Sequence, residues 1–182
     1  MRFLTLPALA LAFALPATAY AAGTGSDSTT PPSTTKTTQS CEGVQVWDEK
    51  TKTCVDPKDS SLDADTLYDA VRELAYAGRI SDAQGVLAAM PNQQDDRVLT
   101  YWGFTHRKLG DTVQAQAFYD RALTQNPDNI LARSYMGQGM VDAGDIDGAV
   151  TQWREITARG GKGTWAEASL RQAIATGTTY NY

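Results

Sequence analysis

A fixed period constrains this chain more than any other feature. Gly78, Gly110 and Gly144 stand 32 and 34 residues apart, and an alanine follows each by five positions, at Ala83, Ala115 and Ala149. Loop composition alone does not keep small residues in register with apolar ones. The physical demand behind such a pattern is close approach of two helices, repeated along the chain. The best copy is Asp96–Asn129, 34 residues that read as two helices joined by a tight turn, and Ile130–Gly163 repeats it. An earlier copy is shorter by two residues. In it Leu67, Ala70, Val71 and Leu74 make one apolar helical face, and Ala83, Val86, Leu87 and Met90 make the second before Pro91 stops it. Ser81 is the expected N-cap of that second helix, Asp111 or Thr112 that of the next copy, and Asp145 that of the third.

Trp102-Gly103, Ala115, Tyr119, Ala122 and Pro127 fall where a tetratricopeptide repeat puts its packing residues. Met136-Gly137, Ala149 and Trp153 take the same slots one copy later. The chain resembles that family over Ala64–Gly163. Val71 departs from it, standing where the family prefers Gly, and the third copy lacks the closing Pro. The resemblance implies an all-α fold, a right-handed superhelix of three helix pairs. Thr164–Thr176 reads as a further, C-terminal helix that covers the apolar edge left by the third pair.

The front of the chain is different. Residues 1–21 read as a signal peptide: Arg2 gives the positive start, Phe3–Leu15 is apolar, and Ala17-Thr18-Ala19 and Ala19-Tyr20-Ala21 both fit small-x-small cleavage. Thirteen apolar residues interrupted by Pro7 fall short of the roughly 20 that a membrane span needs. Export to the periplasm or the exterior is expected, with no transmembrane segment after cleavage. Residues 22–40 are rich in Ser, Thr and Pro and read as a disordered linker. Cys41 and Cys54 are the only cysteines, so in an exported chain they are expected to pair. Between them Val44 and Val46 alternate with Gln45 and Trp47, and Asp48–Lys52 is turn-like. Residues 41–61 therefore read as a stapled hairpin and connector, and 62–177 as the repeat domain. The Cys-x-Gly…Trp-Asp…Cys pattern resembles the last hairpin of peritrophin-type chitin-binding domains, although this chain has two cysteines where that family carries six.

Chemistry-bearing constellations are few. His106 is the one histidine and lies on the packed side of its helix, a core position rather than a catalytic base. It has no second histidine to share a metal, and no Gly-x-Ser-x-Gly elbow accompanies it. Asp142, Asp145 and Asp147 resemble a calcium-loop fragment without the spacing of an EF-hand. Gly160–Thr164 lacks the pattern of a phosphate loop. No enzyme, cofactor or metal site is expected. A net charge of −5 argues against nucleic acid as partner.

The expected function is that of a protein-interaction scaffold or adaptor. In tetratricopeptide repeats the first helix of each pair lines a concave groove. The resemblance implies groove positions at Tyr68, Arg72, Arg97, Tyr101, Phe104, Arg107, Lys108, Tyr135 and Gln138. Aromatic rings beside cations in an acidic chain point to a protein or peptide segment of acidic character. The alternatives are a cell-envelope or polysaccharide-binding module using the Cys41–Cys54 hairpin and Trp47, and a small hydrolase.

Overall fold

The computed structural model of the chain describes residues 29–179. The signal peptide, and the linker as far as residue 28, lie outside the described residues. Within them the order is α1 (Lys36–Ser40), β1 (Val46–Asp48), β2 (Thr53–Val55), then seven helices: α2 (Ala64–Tyr76), α3 (Ile80–Ala89), α4 (Asp96–Lys108), α5 (Thr112–Gln125), α6 (Ile130–Asp142), α7 (Ile146–Ala158) and α8 (Trp165–Thr176). The helices pack pairwise, α2 on α3, α4 on α5 and α6 on α7, with α8 against both α6 and α7.

The turn glycines explain the period. Gly78, Gly110 and Gly144 have φ of +75°, +86° and +80°, left-handed values that a side chain resists. Each closes its helix with the same pair of bonds. Gly78 N donates to Ala75 O and Arg79 N to Leu74 O, and the bonds recur from Gly110 and Asp111 and from Gly144 and Asp145. The chain thus reverses within two residues, and the second helix of each pair starts at once. Asp111 caps α5 through Gln114 N (3.1 Å) and Asp145 caps α7 through Gly148 N (2.9 Å). Ser81 does not cap α3. That helix begins at Ile80 after Arg79, which gives no side-chain cap bond. The glycine turn leaves Ser81 inside the first turn, and the Arg79 guanidinium is used elsewhere, on Asp82 and on the hairpin.

The small residues mark contact between helices. Ala83, Ala115 and Ala149 are buried. A Cβ on Gly103 would lie 2.5 Å from the Tyr119 ring, and one on Gly137 2.7 Å from Leu170. Gly103 lets α5 lean on α4, and Gly137 lets α8 lie on α6. The apolar faces read from the sequence in the first pair are all in the core.

The disulfide joins Cys41 to Cys54, with Cα atoms 5.6 Å apart. The hairpin is antiparallel, with Val46 opposite Val55, Trp47 opposite Cys54 and Asp48 opposite Thr53. It is not a separate appendage. Val46 is 1% exposed within the same core as α2 and α3. Val44 packs so closely on Gly85 of α3 that a Cβ there would clash. Arg79 donates to the carbonyls of Cys41 (3.1 Å) and Gly43 (2.6 Å).

The expected disordered linker is corrected over its last residues. Thr35 caps the short α1, and Glu73 of α2 binds it. The Glu73 carboxylate accepts bonds from Thr35 N (2.6 Å), Thr35 Oγ1 (2.5 Å), Thr38 N (3.0 Å) and the Thr38 hydroxyl. A segment without apolar residues is therefore held by one carboxylate, which fills its acceptor capacity with charge-assisted bonds. Apolar patterning carries no trace of such a latch.

Candidate functional site: an aromatic stack between cations

The first helices of the three pairs, α2, α4 and α6, bring their rings into one stack. Tyr68 meets Tyr101 edge-on at 5.6 Å, and Tyr101 meets Tyr135 edge-on at 5.9 Å. Phe104 fills the angle, 5.9 Å from Tyr101 and 4.6 Å from Tyr135. The hydroxyls of Tyr101 and Tyr135 lie 3.3 Å apart. The spacing of 33 and 34 residues between these tyrosines is the repeat made visible in packing. Trp165, at the start of α8, reaches back to Tyr76 at the end of α2 (5.8 Å).

Cations border the stack at both ends. Arg97 lies 4.8 Å and Arg72 6.0 Å from the centre of the Tyr68 ring. Arg107 and Lys108 lie 5.6 Å from Phe104 on its side. Such contacts stabilise by about 0.5–2 kcal/mol, more when shielded from water. The carboxylates differ between the two ends. Arg97 bonds Asp65 (3.1 Å) and Asp95 (3.3 Å), and Arg72 faces Asp69 at 3.7 Å. At the other end Arg107 and Lys108 share Asp142, which Arg107 binds at 2.7 Å. Burial and the neighbouring Arg107 push Lys108 down to about 8, with Asp142 opposing. Burial also opposes the charge of Arg107, but Tyr119 and Asp142 more than offset it and hold the guanidinium above its ordinary value.

Of the nine expected groove residues the structure brings eight into or beside the ring stack, while Gln138 donates to Ser134 Oγ (3.3 Å) along α6. The structure buries five of the nine, Tyr68, Tyr101, Phe104, Tyr135 and Gln138, and nearly all of Arg107, while Arg72, Arg97 and Lys108 are half-buried. Among the described residues Thr178, Thr179 and Gly177 close on the Arg107–Lys108 end around a cavity of about 370 Å³, and Thr179 Oγ1 donates to Asp142 (2.7 Å). Sequence reasoning missed this contribution from the tail. Its polar residues carry no periodic signal.

His106 packs against Phe118 (5.3 Å) and Trp102 (5.9 Å) on the other side of α4, with Nδ1 3.4 Å from Asp111. No group of three or more His, Cys, Asp or Glu among the described residues is placed to hold a metal. Asp145 is used as a helix cap. Trp47 is half-buried and lines a cavity of about 390 Å³ with Thr30–Ser33, Thr37, Glu49, Asp69, Arg72 and Glu73. Among the described residues no helix is long and apolar enough to cross a membrane.

These features define a class, an all-α domain of pairwise-packed helices with a disulfide-stapled hairpin. Compared with protein-family models, curated proteins and solved structures, the chain matches none.

Proposed function

We propose that the chain is an exported adaptor of the tetratricopeptide kind, which binds a protein segment rather than catalysing a reaction. The observation that carries this reading is the in-line stack of Tyr68, Tyr101 and Tyr135 on three successive first helices, bordered by four cations. The burial of the rings moves the contact to the margin. At the Arg107–Lys108 end the cations line an open cavity with the tail residues Gly177, Thr178 and Thr179, and an acidic side chain of the partner fits there. Arg72 and Arg97 at the other end already face Asp69, Asp65 and Asp95, which makes them the weaker anchors.

The test is photo-crosslinking in the native compartment, followed by synthesis of the captured segment and titration calorimetry. Affinity falls with salt, falls at least tenfold in Lys108→Glu, and falls as pH rises from 7 to 9, because Lys108 loses its charge near 8. An affinity indifferent to Lys108→Glu, Arg97→Glu and salt overturns the reading.

A second reading has one observation in its favour. Trp47 borders a cavity lined by the carboxylates of Glu49 and Asp69, by Arg72 and by several hydroxyls, a lining suited to a sugar. Retention on chitin or peptidoglycan that disappears in Trp47→Ala supports it; absence of retention by the intact protein removes it.

A further inference from the structure

α5 and α6 leave a cleft of about 270 Å³ between them, with Ala115, Met136 and Met140 on its walls. Four of its lining residues are exposed: Thr112, Gln116, Ala143 and Asp145. The cleft therefore opens along α5 and between two neighbouring turns, the one from α4 to α5 and the one from α6 to α7. Its wall is mostly apolar. Arg107 and Tyr119 also border it, but the Arg107 guanidinium is engaged within the protein, by Asp142 on Nη1 (2.7 Å) and by the Tyr119 hydroxyl. That cation does not set the sign of the cleft.

Among the described residues three large apolar side chains are exposed, Leu109, Val113 and Ile146. Single apolar residues scattered over a surface mean little. These three fall on the two turns that frame the cleft. Leu109 ends α4, Val113 follows Thr112 in the first turn of α5, and Ile146 follows Asp145 at the start of α7. The cleft can also change shape. Met136 and Met140 are unbranched, and Gln116 reaches across from α5 to Met136 Sδ (3.2 Å), so the lining re-forms around different side chains. Carboxylates give the surroundings their sign. Asp145 stands on the wall, and Asp120, one turn beyond Gln116 on α5, accepts from that glutamine's Nε2 (2.8 Å). Both are exposed, and among the described residues neither is in an ion pair, whereas Asp142 already holds Arg107.

We propose that this cleft docks a basic amphipathic segment of a partner protein: one large apolar side chain enters between Ala115 and the two methionines, and a Lys or Arg on either side of it meets Asp145 or Asp120. Apolar burial supplies the attraction and the carboxylates select the charge of the partner. The inference goes beyond the adaptor reading and does not depend on it, since Lys108 and the stacked tyrosines do not line this cleft.

The probes are three tripeptides with both ends capped, Lys-Leu-Lys, Glu-Leu-Glu and Lys-Ser-Lys, each titrated into the full chain while the methyl signals of Met136 and Met140 are followed by NMR. Lys-Leu-Lys shifts both methyls, and the other two bind at least tenfold more weakly. Asp145→Asn keeps a residue that caps a helix as well as aspartate does and removes the charge. Binding of Lys-Leu-Lys drops at least threefold in it and in Asp120→Asn, and at least tenfold in the two together. Ala143→Phe closes the mouth from an exposed position, and the preceding copy already carries a large side chain, Leu109, 34 residues earlier. It abolishes binding while circular dichroism stays unchanged. Lys108→Glu leaves Lys-Leu-Lys bound, which separates this cleft from the adaptor surface. Methionine methyls that do not move with Lys-Leu-Lys, equal binding of Lys-Ser-Lys, or affinity unchanged in the double aspartate variant overturns the proposal.

Discussion

At the first pair, the helix array is covered by a hairpin of two three-residue strands; at the last pair, by the 12-residue helix α8. The two covers solve one problem with different means. α8 places Ala166, Leu170 and Ala173 at 0% exposure against α6 and α7, and adds Ser134 Oγ to Ala166 O (2.7 Å) and Trp153 Nε1 to Glu167 (2.7 Å). Its hold is mainly apolar. The hairpin has few apolar residues to offer beyond Val44 and Val46. The disulfide closes the hairpin on itself, and Arg79 on two backbone carbonyls and, through α1, Glu73 hold it to the array. So short a hairpin is at best marginal alone, and the covalent link and polar latches offset its small core. An apolar cover transmits stability to the whole array, whereas a latched cover can detach locally.

Replacing Leu170 is the strongest way to break this contrast. Leu170→Ala empties a fully buried site beside Gly137 and lowers stability by about 2–5 kcal/mol. Denaturant unfolding then shifts as one transition, with α6 and α7 losing hydrogen-exchange protection together. A separate early transition confined to α8 would mean that α8 is as detachable as the hairpin.

The double change Cys41→Ser with Cys54→Ser comes next. Opening a loop of this length removes about 3 kcal/mol in the chain-entropy account. Because the hairpin packs on α2 and α3, the loss falls first on that pair. Limited proteolysis cuts between residues 41 and 55 early, while far-ultraviolet circular dichroism keeps most of its helical signal. Global loss of that signal would make the hairpin part of a single cooperative unit.

Within the array, Ala115→Leu or Ala149→Leu overpacks a buried contact at the start of a second helix and costs about 1–3 kcal/mol. An unchanged denaturant midpoint for both would show that the alanine register does not mark the helix contacts. Glu73→Gln has a smaller effect, about 1–2 kcal/mol, since it weakens the charge-assisted bonds to Thr35 and Thr38 without emptying space. Its signature is faster exchange of the Thr35 and Thr38 amides alone.

The pairs, their turns and α8 were legible because each rests on period: glycine at the left-handed position, alanine at the contact, apolar faces at helical spacing. The hairpin was legible as a stapled unit, but its docking was not. That docking runs through backbone carbonyls, one arginine and one carboxylate, and residue types at single positions do not announce such partners. The candidate site divides the same way. The register that set Tyr68, Tyr101 and Tyr135 on one face was readable, and they meet; their burial was not, because it comes from the rings packing on one another, on Phe104 and under Arg97, contacts between copies that the pattern within one copy does not show.

The smallest expected effect sharpens the comparison at the helix starts. Thr164 precedes α8 and its hydroxyl oxygen accepts from Glu167 N at 3.2 Å, satisfying one of the amides that a helix start leaves open. Ser81, at the other end of the array, sits inside the first turn of α3 and caps nothing, because the glycine turn hands the chain straight from Arg79 into the helix. Sequence preference alone ranks the two hydroxyls alike. The structure ranks them apart. Thr164→Ala lowers stability by about 1 kcal/mol and frays the first turn of α8, where Trp165 holds Tyr76. Ser81→Ala is exposed and within a helix, where alanine is the better former, and leaves the midpoint unchanged or slightly raised. Paired denaturant titrations measure both. Equal losses would restore Ser81 as a cap and move the start of α3; no loss in Thr164→Ala would leave α8 held by its apolar face alone.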